Sequence, residues 1–89
     1  MITIAQVIND TLEEVVEILD QIAHDDGVPK KVKEKIELLI ETLKEAGETR
    51  LKVNKCLDEL DQIAEDVNLQ TFIRTQIWNA SSMLEKMNT

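Results

Sequence analysis

Leu19-Asp20-Gln21-Ile22-Ala23 recurs unchanged as Leu60-Asp61-Gln62-Ile63-Ala64, an offset of 41 residues in a chain of 89. At the same offset Asp25 meets Asp66, Ile36 meets Ile77 and Leu43 meets Leu84. Leu12, Val16, Val28 and Val32 meet Val53, Leu57, Leu69 and Ile73, and Lys33 meets Arg74. A fixed internal period constrains a fold more than local preference does, because each unit must take one shape and bury its apolar face against its copy.

Both copies carry a helical period. Ile8, Leu12, Val15, Val16, Leu19, Ile22 and Ala23 step by threes and fours, and Val53, Cys56, Leu57, Leu60, Ile63, Ala64 and Val67 repeat the stripe. Partner stripes follow at Val32, Ile36, Leu39, Ile40 and Leu43, then at Ile73, Ile77, Ala80, Leu84 and Met87. Glycine occurs only at 27 and 47 and proline only at 29, so breakers are confined to the joints. Thr3 with Gln6 fits a capping box, and Gly27 fits a left-handed helix end with Asn68 as its counterpart. Pro29 fits the first position of a second helix, and Gly47 ends it. These signals predict helices near 3–26, 29–46, 48–67 and 70–87.

Short connections force successive helices to lie antiparallel. The predicted fold is all-α: an antiparallel up-and-down four-helix bundle made of two repeated helical hairpins. One domain spans 1–89, with internal repeats about 8–46 and 49–87. An open solenoid is the rival, since the period lies near the HEAT and armadillo range, but two units alone would expose wide apolar flanks. Residues 1–28 hold seven acids and no Lys or Arg, while 29–55 hold eight bases against five acids, so the first two helices attract each other.

Ile22-Ala23, Asp25, Val32-Lys33 and their copies Ile63-Ala64, Asp66, Ile73-Arg74 resemble a HEAT-repeat turn, in which an acid ending one helix faces a base early in the next. That resemblance implies an interaction scaffold. Over the whole chain, Leu19-Asp20-Gln21-Ile22-Ala23, Asp25, Val28-Pro29 and Arg74-Thr75-Gln76-Ile77-Trp78-Asn79 resemble a small archaeal family of uncharacterised helical proteins. Membership implies a four-helix bundle in an archaeal cytoplasm and brings no activity, ligand or catalytic residue.

Composition narrows the chemistry. A net charge of −8 opposes binding to phosphate backbones. Cys56 stands alone, so an intrachain disulfide and a thiolate metal cluster are excluded, and it reads as a small core hydrophobe. The first sixteen residues carry three acids and no base, unlike a secretory signal, and no apolar run nears the ~18 residues of a membrane span. The expected location is the cytoplasm, with no cofactor.

Candidate sites are few. His24 beside Asp20 has metal-ligand spacing, but it also suits a helix C-terminus, where a cation complements the dipole. Glu13, Glu17 and Asp20 share a face without the Glu-x-x-His motif of a di-metal bundle. Thr71, Thr75, Ser81 and Ser82 have no neighbouring His to activate a hydroxyl. Ser81 replaces an apolar residue at the counterpart of Ile40, either bonding back to a helix carbonyl or making room for Trp78. Lys30, Lys31, Lys33 and Lys35 form a basic start to helix 2, readable as a salt-bridged face or as an anion or RNA contact. Leu38, Phe72, Trp78 and Met83 are apolar off the core stripe, readable as a broad core contact with Trp78 and Phe72 filling the bundle ends or as an interface, with helix 4 carrying the wider flank. The resulting expectation is a non-enzymatic protein-interaction or scaffold module, self-associating or bound to another protein. An RNA- or ribosome-associated accessory protein and a metal-assisted enzyme are the alternatives.

Overall fold

The computed structural model describes the backbone of residues 3–45 and 47–87, and the side chains of Thr3, 10–45 and 47–87. Among the described residues there are four helices: α1 (Ile4–Ala23), α2 (Lys30–Lys44), α3 (Thr49–Ala64) and α4 (Thr71–Met87). Each packs on its sequence neighbours, and α1 also packs on α4, which closes the ring; the diagonal pairs α1/α3 and α2/α4 stand farther apart. The bundle is therefore closed, as expected, and the solenoid is excluded. Its cross-section of 22 × 21 Å matches two helix diameters of ~10 Å each, so facing side chains fill the centre.

The core follows the repeat. Leu19 and Leu60, Ile36 and Ile77, and Leu84 are fully buried, and Leu43 nearly so. Leu12, Val16 and Leu57 pack against this core from its margin and remain half-exposed, as does Met87. Val67 departs from the predicted stripe. It is 88% exposed, because α3 ends at Ala64 and the chain turns before another helical step is taken. Its repeat counterpart, Asp26, is exposed as well. The side chains of Gln6 and Ile8 lie outside the described residues, so the proposed capping box and the first core position do too.

Both hairpin turns share one set of hydrogen bonds. The amide of Asp25 donates to the Ile22 carbonyl at 3.1 Å, and that of Val28 donates to the Asp25 carbonyl at 3.1 Å. Gly27 N–H donates to Asp25 Oδ1 at 2.7 Å. In the second copy, Asp66 N–H reaches Ile63 O at 3.1 Å, Leu69 N–H reaches Asp66 O at 3.2 Å, and Asn68 N–H reaches Asp66 Oδ1 at 2.9 Å. Each Asp thus folds the backbone over itself in an Asx turn, and the buried Val28 or Leu69 plugs the core beneath it. This corrects the left-handed reading of Gly27 and Asn68. Among the described residues the only positive φ belongs to Gly47, at 138°. With the Asp carboxylate satisfying the turn amide, no left-handed residue is required there. The predicted first and third helices overran their C-termini by three residues for the same reason, while α2 ends two residues before the predicted 46 and α4 ends at the predicted 87.

Candidate interaction surfaces

The polar groups best placed by the fold serve helix ends. A helix leaves its last carbonyls unpaired, and a basic side chain can satisfy them. His24 Nδ1 lies 2.8 Å from the Asp20 carbonyl; a carbonyl only accepts, so that nitrogen carries the proton. Lys52 Nζ donates to Glu45 O at 2.7 Å beyond the end of α2. Arg74 donates from Nε to Ala64 O at 2.9 Å and from Nη2 to Asp66 O at 2.8 Å, forking over the end of α3. In the second copy the base of the HEAT-like pattern therefore binds the peptide carbonyls of the acid's turn, while in both copies the Asp carboxylate is spent on its own backbone.

The reactive side chains are held apart. Cys56 is fully buried on α3, and burial pushes its thiol from 9.0 up to about 11, against the smaller opposing field of Lys55. Glu13, Glu17 and Asp20 point outward and rim a groove of about 440 Å³ floored by Leu12, Val16 and Leu43. Among the described residues no three His, Cys, Asp or Glu side chains gather where one metal ion would sit. Ser81 is buried at 7% exposure, and its hydroxyl has no hydrogen-bond partner. The expected bond back to a helix carbonyl is absent, and Trp78, at 56% exposure, needs no room in the core. No described helix is long and apolar enough to cross a membrane.

The four lysines of α2 do not form one patch. Successive α-helical positions rotate by about 100°, so Lys30 faces outward, Lys33 turns toward α1, and Lys31 with Lys35 turns toward α3. Lys35 lines a groove of about 370 Å³ together with Leu38, Glu41, Thr42 and Glu45 of α2 and Lys55 and Glu59 of α3. Among the described residues the expected salt bridges from these four lysines to the acids of α1 are not made, and His24 Nδ1 lies 3.5 Å from Asp20 Oδ1, an ion pair when the imidazole is protonated.

The apolar candidates are likewise dispersed. Leu38 is 62% exposed on the α2/α3 side. Phe72 is 64% exposed and lies beside Gln21 of α1 and Asp25 of the turn after it, and Met83 shares its flank of α4 by spacing. Trp78 follows Arg74 by one helical turn and so faces the α3 side, across α4 from Phe72. Helix 4 therefore has two separate apolar flanks where the sequence suggested one wide one. Leu51, 66% exposed near the start of α3, is an apolar surface residue that the sequence reading did not single out, and Val67, placed on the core stripe, is exposed as well. Their counterparts Asp10 and Asp26 are polar, so comparing the two copies was the signal that could have found them.

The comparisons with known proteins agree with this architecture. A model of an uncharacterised protein family, UPF0147, matches residues 2–87. A UPF0147 protein of Archaeoglobus fulgidus is 39% identical over 77 residues, covering 86% of this chain and 88% of its own length. One from Methanocaldococcus jannaschii is 34% identical over 79 residues, covering 88% and 85%. Both organisms are archaea. A crystal structure of a UPF0147 protein from Thermoplasma acidophilum superposes with a TM-score of 0.83 at 29% identity, covering 89% of this chain and 94% of that one. A second solved structure, of a protein of unknown function, gives 0.80 at 28% identity over 96% and 93%.

Proposed function

Since the chain belongs to the uncharacterised family UPF0147, whose description carries no activity, we propose that it is a non-enzymatic helical protein-interaction module. One observation carries this reading. A bundle that hides its core almost completely nevertheless leaves Leu38, Phe72 and Trp78 more than half exposed. Large apolar groups in water are disfavoured by roughly 25 cal/mol per Å², and two of these, Leu38 and Phe72, each lie beside a groove where a partner could cover them. The polar residues with fixed geometry cap helices, so they support the fold without converging on a reacting atom.

The test replaces Leu38, Phe72 and Trp78 singly by Ser in the full chain. Wild type and variants are then compared by sedimentation and by cross-linking in native extract, with circular dichroism as the fold control. The expected result is a complex larger than the monomer that at least one of these substitutions removes. Complexes indifferent to all three, or a wild type that forms none, would overturn the reading. Salt-sensitive retention of the wild type on RNA would replace it with the nucleic-acid alternative, for which the scattered lysines and the net charge of −8 give little support.

A further inference from the structure

Along the outer flank of α2 and its C-cap, the charges three and seven residues from Leu38 are opposite in sign on its two sides, with Glu34 and Thr42 at four residues outside this pattern. Leu38 stands at the middle, with Lys35 three residues before it and Glu41 three after, and with Lys31 seven before and Glu45 seven after. Lys35, Leu38, Glu41 and Glu45 line one groove, so the pattern is a surface as well as a sequence. The repeat supplies its own control. At the matching positions of the second copy stand Phe72, Gln76, Asn79, Ser82 and Lys86, which carry no opposed charges. The pattern belongs to α2 and is not inherited from the duplicated hairpin.

We propose that this flank joins two copies of the chain, α2 packing antiparallel on α2 across a twofold axis through Leu38. The inference rests on reading the chain as an interaction module and names its occupant. A twofold contact needs a self-complementary surface, and this one qualifies. Lys35 meets Glu41 of the second copy, Lys31 meets Glu45 of the second copy, and the two Leu38 side chains leave water together. A parallel pairing would set lysine against lysine, and docking on the acidic α1 groove would leave a free end on each copy and run on into filaments.

Two costs within the single chain are offset by this arrangement. Leu38, 62% exposed in the single chain, becomes the apolar centre of the contact. Lysines in the first turn of α2 oppose its own dipole, yet in the dimer they lie beside the negative end of the other α2. One helix flank and its groove make a small interface, below ~1,200 Å² in total, so the dimer is of the weak, reversible class.

Sedimentation equilibrium of the full chain at low salt, from micromolar to near-millimolar concentration, reads the outcome. Wild type is expected to be a monomer–dimer mixture that molar salt shifts toward monomer, since salt screens the rim charges. Leu38→Asn, which installs the residue of the repeat counterpart, should be monomeric with unchanged circular dichroism. Lys35→Glu and Glu41→Lys should each weaken the dimer by about tenfold or more, as each places two like-charged pairs in the contact. Mixed in equal amounts, these two variants should associate again, because each then meets its opposite. Failure of the mixture to associate, a dimer indifferent to Leu38→Asn, or a monomeric wild type would overturn the proposal. A complex lost only with Phe72→Ser or Trp78→Ser would also overturn it while leaving the interaction module standing.

Discussion

Ser81, Cys56 and Arg74 show how far single residues are governed by their surroundings. The Ser81 hydroxyl is buried without a partner; such a group costs about 1–3 kcal/mol of desolvation that nothing returns. Ser81→Ala is therefore expected to raise stability by about 1 kcal/mol, measured by urea unfolding. Cys56 gives a pH signature. Its thiol ionises near 9.0 when exposed and near 11 in the fold, so the unfolded chain gives up its proton first as pH rises. The favourable contribution is intact below about 9 and fades as pH climbs through 11. Wild type should lose stability between pH 8 and pH 10.5 relative to Cys56→Ala, and parallel curves for the two would contradict this. Arg74 contributes through the shape of its guanidinium, which reaches two carbonyls from two nitrogens. Arg74→Lys keeps the charge and loses the fork. A destabilisation of about 1–2 kcal/mol is expected in the same assay.

At the scale of the element, the repeat made most of the fold legible. Helical period, antiparallel order and core positions all follow from apolar stripes recurring at one offset, because burial is the strongest force on a chain this short. The turns were less legible. A glycine after a helix suggests a left-handed end, yet Asp25 and Asp66 close these turns with side-chain oxygens, a choice that depends on geometry within hydrogen-bond distance. Of the surfaces, the individual residues could be read and their grouping could not. Phe72 and Trp78 are six residues apart and look adjacent in sequence, but helical rotation sends them to opposite neighbours of α4. The charge reversal about Leu38 was written in the sequence and obscured by treating Lys30, Lys31, Lys33 and Lys35 as one cluster. The two glycines give the test of the corrected turns. Gly47 holds φ at 138° with open space around it, so Gly47→Ala meets backbone strain alone and should cost about 1–3 kcal/mol. Gly27 has no positive φ, and an added Cβ would lie 3.0 Å from the flexible Gln70 amide, which can swing aside, and 3.2 Å from Asp25 Oδ1, which must give by a few tenths of an ångström. Gly27→Ala should therefore fall well below Gly47→Ala in a comparison of unfolding midpoints; the reverse order would restore the left-handed reading of Gly27.

For the whole molecule, closure of the ring determines how stability is distributed. Each helix lies against two others, and α1 meets α4, so neither hairpin has an apolar face it can satisfy alone. Leu60 in α3 and Leu19 in α1 are repeat partners, both fully buried in the one core cluster. If that core is shared, damage to one hairpin must be felt by the other. Leu60→Ala removes a packed side chain and should cost about 2–5 kcal/mol, a large part of the roughly 5–15 kcal/mol that holds small domains together. Native-state hydrogen exchange separates the two cases. In a cooperative bundle, the most protected amides of α2, around Ile36, should lose protection by the same free energy as those around Ile63 in α3, although α2 does not carry the substitution. Two hairpins that merely touched would give loss in α3 and α4 with α1 and α2 unchanged. The exchange should be read below the concentration at which copies associate, since a contact between α2 helices would add protection at α2 alone and imitate independence of the hairpins.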